Sequence, residues 1–218
     1  MASRSRAEDA RMSLLDIAAF RRMPLRQEPF PFLVVPEFLK AECLRPVLAD
    51  FPVIEYAGLM PLAELDYGPR FAALIEEIRG SELEAAFAEK FAVDLRHKPL
   101  MITVRGHAQA RDGRIHTDSE SKIISALLYL NTGWQSQEGR LRFLAGPDDI
   151  EDVVEEVPPS GGTLATFRRS PRSYHGHEPY VGQRRYVMFN WMVDRSAWRR
   201  ELARHRLSAC VKKVLDVI

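Results

Sequence analysis

The chain has 218 residues and a mass of 24.9 kDa, and its 46% hydrophobic and 28% charged residues are those of a globular fold, which excludes disordered and collagen-like classes. Its 31 Lys and Arg nearly cancel its 30 Asp and Glu, leaving +1, and this argues against nucleic acid as the main partner because phosphate-backbone binding needs a clear basic excess. Cys43 and Cys210 have no companions at metal-finger or redox-motif spacing, no apolar run approaches the roughly 20 residues of a membrane span, and the first residues lack a secretory pattern, so a cytoplasmic protein without a disulfide framework is expected.

Residues 1–28 are arginine-rich with scattered apolar residues and Pro24, and they read as a flexible arm holding at most one short helix; a single domain is expected over 29–218. The aromatic and β-branched run Pro29–Pro36, bracketed by prolines, predicts an edge strand. Between Lys40 and Asp50, Cys43, Leu44, Val47 and Leu48 recur at helical spacing until Pro52 stops the pattern. Residues 70–79 predict a second helix ended by Gly80. Ser81-Glu82-Leu83-Glu84 reads as a capping box that opens a third, with Leu83, Phe87 and Phe91 on one apolar face.

After Pro99 the pattern turns to short β runs at Leu100–Val104, Ile123–Leu130, Leu141–Leu144, Val153–Val157, Thr163–Phe167 and Arg185–Val193. Such strands, separated by Gly, Pro and Asp turns with no helical pattern between them, predict a sandwich or barrel, an α+β but mainly β fold. From Ser196 a final helix places Trp198, Leu202, Val211, Val214 and Leu215 on one side, suited to packing on the β core or to closing a homodimer.

His116 and Asp118 form a His-Thr-Asp triplet, and in extended chain residues i and i+2 share a face, so both side chains can reach one metal ion. Joined by a remote second histidine, they make the facial triad of non-haem iron(II) enzymes. A lone triplet is common on solvated loops; this one keeps ordered company. Lys122 and the strand Ile123–Asn131 follow it, then Trp134 and Gly139, then Pro158, Gly161, Gly162 and Phe167, then Tyr174-His175-Gly176, Arg185 and Trp191.

In this order the motifs resemble the Fe(II)- and 2-oxoglutarate-dependent dioxygenases of the prolyl 4-hydroxylase-like branch, over roughly residues 100–193. The resemblance implies a double-stranded β-helix, or jelly-roll barrel, of about residues 99–193 with buttressing N-terminal helices and a C-terminal helix. It implies Fe(II), 2-oxoglutarate and O2 as cofactor and cosubstrates, with ascorbate as an auxiliary reductant, and hydroxylation of an unactivated C–H bond with release of succinate and CO2. The metal ligands it implies are His116, Asp118 and either His175 or His177. The ten-residue interval to Arg185, with Pro179 following, favours His175 and leaves His177 as a neighbour.

Arg185 is implied to bind the distal carboxylate of 2-oxoglutarate through its guanidinium fork, with Arg184 as the competing choice. Alternation groups Arg185 with Val187, Phe189 and Trp191, an apolar set expected to face the interior, and Arg184 with Tyr186, Met188 and Asn190, expected to face out. Tyr129 is implied to donate its hydroxyl to the same carboxylate, while Lys122, at its strand entrance, either reaches the cosubstrate or is solvated. The strand Met101–His107 lacks the tyrosine many relatives carry there, whereas Asp118 is retained where halogenating relatives lose the carboxylate, so hydroxylation is expected.

The expected substrate is a small metabolite or amino acid, or a prolyl or other residue of a protein; no nucleic acid or membrane partner is expected, and the chain is a monomer or homodimer. The competing reading is a cupin-like metal-binding jelly roll doing isomerase-like or sensing work, with Arg185 merely structural. His97 and His205 read as structural. The polar segment 105–114, with His107, reads as a substrate lid or a plain loop, and Arg168, Arg169 and Arg172 as a basic cluster at the site mouth or a solvated turn balanced by the acidic stretch Asp148–Glu156.

Overall fold

The computed structural model describes residues 13–215, with side chains described as far as Leu207. The chain runs through α1 (Ile17–Arg22), β1 (Phe32–Val35), α2 (Ala41–Ala49), β2 (Met60–Pro61), a 3-10 turn (Leu62–Glu64), α3 (Pro69–Arg79) and α4 (Ser81–Phe91). It then turns to strands, β3 (Leu100–Ala108), β4 (Lys122–Tyr129), β5 (Leu141–Leu144), β6 (Val153–Val157), β7 (Leu164–Arg168), β8 (His175–Gly176) and β9 (Gly182–Met192), and closes on α5 (Arg195–Leu215). The strands form two antiparallel sheets, one in the order β1-β7-β4-β9-β3-β2 and one in the order β6-β5-β8. The expected edge strand β1 lies at the margin of the larger sheet, as its flanking prolines require.

Alternation gives the six-stranded sheet two unlike faces. One carries Ile102, Val104, Ile124, Leu128, Val187, Phe189 and Trp191, and the helices cover it with Phe71, Leu74, Ile78 and Phe87. The other turns toward the small sheet, where Tyr129, Phe167 and Tyr186 meet Leu141, Phe143 and Val157, joined by Phe30 and Phe32. Ser125, Tyr129 and Arg184 lie on this second face, toward the small sheet that carries His175.

Two expectations are corrected here. From Ser13 the chain is packed rather than a flexible arm: Asp16 caps α1 by accepting the Ala19 N–H at 2.7 Å, and the Leu14 and Leu15 N–H groups donate to the Glu77 carboxylate at 2.7 and 3.0 Å. Phe20 is fully buried and stacks on Phe87 with 4.5 Å between centroids. Residues 1–12 lie outside the described chain. The capping box at Ser81 does not form, because Gly80 is the cap between α3 and α4, and Ser81 is already the first helical residue.

Phe87 ties this half together, touching the rings of Phe20, Phe91, Phe189 and Trp191 at 4.5–6.1 Å. Phe87→Ala is expected to lower stability by about 3–5 kcal/mol, the usual cost of emptying a buried aromatic site. Urea unfolding measures this, and a loss below about 1 kcal/mol would show that the cavity collapses. Among the described residues no helix is long and apolar enough to cross a membrane.

Candidate active site

His116 lies on the segment between β3 and β4, and His175 on β8. Reciprocal main-chain hydrogen bonds of 3.0 Å join them, His116 N–H to the His175 carbonyl and His175 N–H to the His116 carbonyl, which brings the two rings to 4.3 Å between centroids. Asp118 follows two residues on. The ligand atoms of His116, Asp118 and His175 all lie within 4.8 Å of one another, the one such group among the described residues.

Each imidazole is aimed by its outer nitrogen. His116 Nδ1 is 2.8 Å from the Arg114 carbonyl and His175 Nδ1 is 2.9 Å from the Ser173 carbonyl. A carbonyl only accepts, so both Nδ1 atoms carry the proton and leave the Nε2 lone pairs for the shared point. Asp118 is held on both oxygens, Oδ1 by Lys122 Nζ at 3.0 Å and Oδ2 by the Ser125 hydroxyl. Burial pushes this carboxyl up, but Lys122, His175 and Ser125 outweigh it and hold it far below the usual range, so it is an anion. Burial, against the pull of Asp118, takes His175 down to about 4, so its imidazole is neutral. Two imidazole nitrogens and one carboxylate, buried except on the His116 side, are a fitting donor set for a divalent iron.

His177 stands outside this trio. Its Nδ1 donates to the Glu178 carbonyl at 2.8 Å, and its N–H donates to the Gly113 carbonyl at 2.8 Å. Gly113 has φ 90° and sits so close that a Cβ there would collide with the His177 ring and carbonyl, which makes His177 a wall for the 109–114 segment.

The trio opens onto a cavity of about 580 Å³ that is also lined by Lys122, Leu127, Arg184, Tyr186 and Met188. Arg184 is only 2% exposed. Its Nε donates to the Gly139 carbonyl at 2.9 Å and its Nη2 to the Tyr129 hydroxyl at 3.4 Å, while its guanidinium lies 5.4 and 5.2 Å from the ring centroids of Tyr129 and Tyr186. Among the described residues no carboxylate stands within ion-pair distance of it. Burial raises the Tyr129 hydroxyl to about 12 despite Arg184, so it stays protonated.

Arg185 does not face the cavity. Its guanidinium lies 5.5 Å from the Phe51 ring, its N–H donates to Asn131 Oδ1 at 2.6 Å, and burial lowers its pKa. The expected orientation of the two arginines is therefore inverted. The apolar residues Val187, Phe189 and Trp191 belong to the face covered by helices, and Arg185 shares that face, whereas Arg184 shares the inter-sheet face with Tyr186 and Met188. Tyr129 and Lys122 are in the site neighbourhood, but Lys122 is spent on Asp118.

Other expectations shift too. His107 sits on β3 against the Ile54 carbonyl at 2.9 Å, not on a lid. His205, read as structural, lines the cavity from α5 beside Arg204. Arg169 donates to the Asp118 carbonyl at 3.1 Å and to Glu120, and Arg172 reaches the Pro29 carbonyl, so this basic cluster braces the site from outside the cavity. Arg105, which no motif marks, clasps Asp112 with its guanidinium and lies 5.8 Å from the Tyr186 ring. Its signal was parity: an arginine midway along an apolar strand, two residues after Thr103 on the face opposite Ile102 and Val104.

The sequence profile of the 2OG-Fe(II) oxygenase superfamily matches residues 103–193, from β3 through the last residues of the β region. Over that span the chain is similar to this superfamily of oxidoreductases, whose members use Fe(II), 2-oxoglutarate and O2. Solved structures share the fold. A Pseudomonas putida prolyl-4-hydroxylase is 18% identical over 82% of this chain and 91% of its own, with a TM-score of 0.53. A prolyl 4-hydroxylase from Phytophthora capsici is 16% identical over 74% of this chain and 58% of its own, with a TM-score of 0.51. An oxidoreductase of the 2OG-Fe(II) oxygenase family from Burkholderia pseudomallei is 12% identical over 84% and 93%, also with a TM-score of 0.51. No curated protein sequence is significantly similar to the chain.

Proposed function

We propose that this protein is a 2-oxoglutarate-dependent hydroxylase of a small substrate, with His116, Asp118 and His175 as the iron ligands and Arg184 as the anchor of the cosubstrate. Arg184 carries the reading. A guanidinium that is 2% exposed, donates only to neutral groups and opens on the same cavity as the ligand trio is a buried charge awaiting an anion. The distal carboxylate of 2-oxoglutarate supplies that anion, with the Tyr129 hydroxyl as a second donor. A cupin-like metal site with no cosubstrate would leave this charge uncompensated.

The two sheets are read as the halves of a jelly-roll barrel with the site between them. Iron with 2-oxoglutarate and O2 supplies the oxidising power: one oxygen atom enters the substrate as hydroxyl, and the other leaves in succinate, with CO2 released. The chain's part is positional. The Arg114 and Ser173 carbonyls fix the two imidazoles, Lys122 and Ser125 fix the carboxylate, and Leu127, Tyr186 and Met188 give the cavity an apolar wall that limits water. C–H hydroxylation is also the reaction named for the Pseudomonas putida protein; its prolyl substrate is not carried over.

Anaerobic Fe(II)-loaded protein titrated with 2-oxoglutarate is expected to develop the metal-to-ligand charge-transfer band of a chelated 2-oxo acid, and to release succinate when O2 is admitted. Absence of both sinks the reading. Ser125→Ala is expected to weaken metal affinity by roughly 10–100-fold, the usual effect of removing a group that holds a ligand. Mn(II) binding followed by electron paramagnetic resonance measures this, and an unchanged affinity would show that Lys122 alone suffices to hold Asp118.

A further inference from the structure

The cavity carries more positive charge than the proposed reaction uses. Arg105, Arg111, Arg114, Lys122, Arg184 and Arg204 line it, and Asp112 and Asp118 are the acids that face them. Lys122 is paired with Asp118, Arg105 with Asp112 and Arg204 with Glu201, while Arg184 serves the cosubstrate. Arg111 and Arg114 remain without an ion-pair partner among the described residues. Filling the site does not change the balance, because Fe(II) adds two positive charges and 2-oxoglutarate two negative ones.

These two arginines sit on a strap, residues 109–114, that is anchored at both ends. Its first residue is tied back to Asp112: the Gln109 N–H donates at 3.0 Å to Asp112 Oδ2, which Arg105 clasps, and the Asp112 N–H donates to the Gln109 carbonyl at 2.9 Å. Burial works against the Arg105 charge, but Tyr186 and Asp112 more than offset it, so the clasp is an ion pair. At its end Gly113 is pressed on His177, and the Arg114 carbonyl holds His116 Nδ1 at 2.8 Å. Arg111 and Arg114 are thus carried at the cavity mouth on a backbone whose ordering is already complete before a ligand arrives. Arg204 and His205 of α5 line the same cavity.

We infer that the strap is an anion receptor, and that the primary substrate is a small molecule carrying a carboxylate or phosphate group. This rests on the hydroxylase reading for what is done with the anion, but not for its capture. A cavity lined by one sign of charge concentrates counter-ions and speeds their arrival, and guanidinium forks match carboxylate and phosphate oxygens. A space of about 580 Å³ that must also hold 2-oxoglutarate leaves room for a second ligand of metabolite size.

The test uses the full chain loaded with Mn(II) and saturating 2-oxoglutarate, titrated with inorganic phosphate while the 31P line width is followed, since Mn(II) broadens phosphate held near the metal. Wild type is expected to broaden the line saturably, and the double variant R111E/R114E to need at least tenfold more phosphate. R111Q/R114Q is expected to fall between them, and Arg96→Glu, remote from the cavity, to match wild type. In R111E/R114E the affinity for 2-oxoglutarate, measured by calorimetry on the same preparation, is expected to fall by less than the affinity for phosphate, because Arg184 still holds the cosubstrate. Failure of wild type to bind 2-oxoglutarate would defeat the hydroxylase reading while the phosphate titration still decides the receptor. No saturable broadening in wild type, or equal broadening in R111E/R114E, overturns the inference. A panel of organic acids and sugar phosphates, each beside its amide or dephosphorylated counterpart, then reports through stimulated succinate release. Stimulation by neutral compounds alone, or by tetraglutamate peptide alone, overturns the assignment to a small anion.

Discussion

His175→Ala is expected to lose metal affinity by far more than roughly a hundredfold, because changing a group that merely supports a ligand already costs about 10–100-fold. The same variant should release no succinate above background. His175 is fully placed for the role before any metal binds: its ring is buried, neutral and fixed by the Ser173 carbonyl, and its main chain is bonded to His116 on both sides. His177→Ala is expected to keep its metal within a few-fold, since that ring points its Nδ1 at the Glu178 carbonyl and lies outside the trio. Its loss should instead loosen the strap at Gly113, and so weaken phosphate binding in the titration described above. Mn(II) titration of the three proteins separates these outcomes. Retention of metal by His175→Ala together with loss by His177→Ala would exchange the two assignments.

The parts of this site visible in the sequence are those set by short-range geometry. His116 and Asp118 are two residues apart, and the bounds of β5 and β6 follow from their flanking Gly, Pro and Asp residues, so neither needed knowledge of the rest of the chain. What the sequence hid is which face of a strand meets which layer. Along β9 the apolar set looked like the interior, but a sheet between helices and a second sheet has two interiors. The more apolar one lies under the helices; the inter-sheet one must hold polar groups because it holds the chemistry. The same blindness to layers made residues 13–28 look like an arm, because Phe20 finds its stacking partner in Phe87, far along the chain. It also hid Arg105, whose purpose depends on Asp112 folding back and on Tyr186 lying opposite in β9.

That inversion of faces yields the other large effect. Arg184→Ala is expected to raise the dissociation constant of 2-oxoglutarate at least tenfold, equivalent to about 1.4 kcal/mol. The effect can reach about 2–5 kcal/mol, because truncating one partner of a buried charge pair leaves the other charge unpaired. Metal affinity should hardly move, since Arg184 is not among the ligand atoms. Arg184→Lys is expected to recover only part of the loss: an ammonium restores the charge but not the fork that spans the Gly139 carbonyl, the Tyr129 hydroxyl and an incoming carboxylate. Tyr129→Phe removes one neutral donor and should cost about 0.5–1.5 kcal/mol. Arg185→Ala should leave 2-oxoglutarate binding within twofold, because its side chain packs on Phe51 on the helix side of the sheet. Fe(II) titrations with 2-oxoglutarate under anaerobic conditions, read by the charge-transfer band, give all four constants. If Arg185→Ala weakens the cosubstrate and Arg184→Ala does not, the anion lies on the helix side of β9, and a buried Arg184 without a carboxylate would need some other partner.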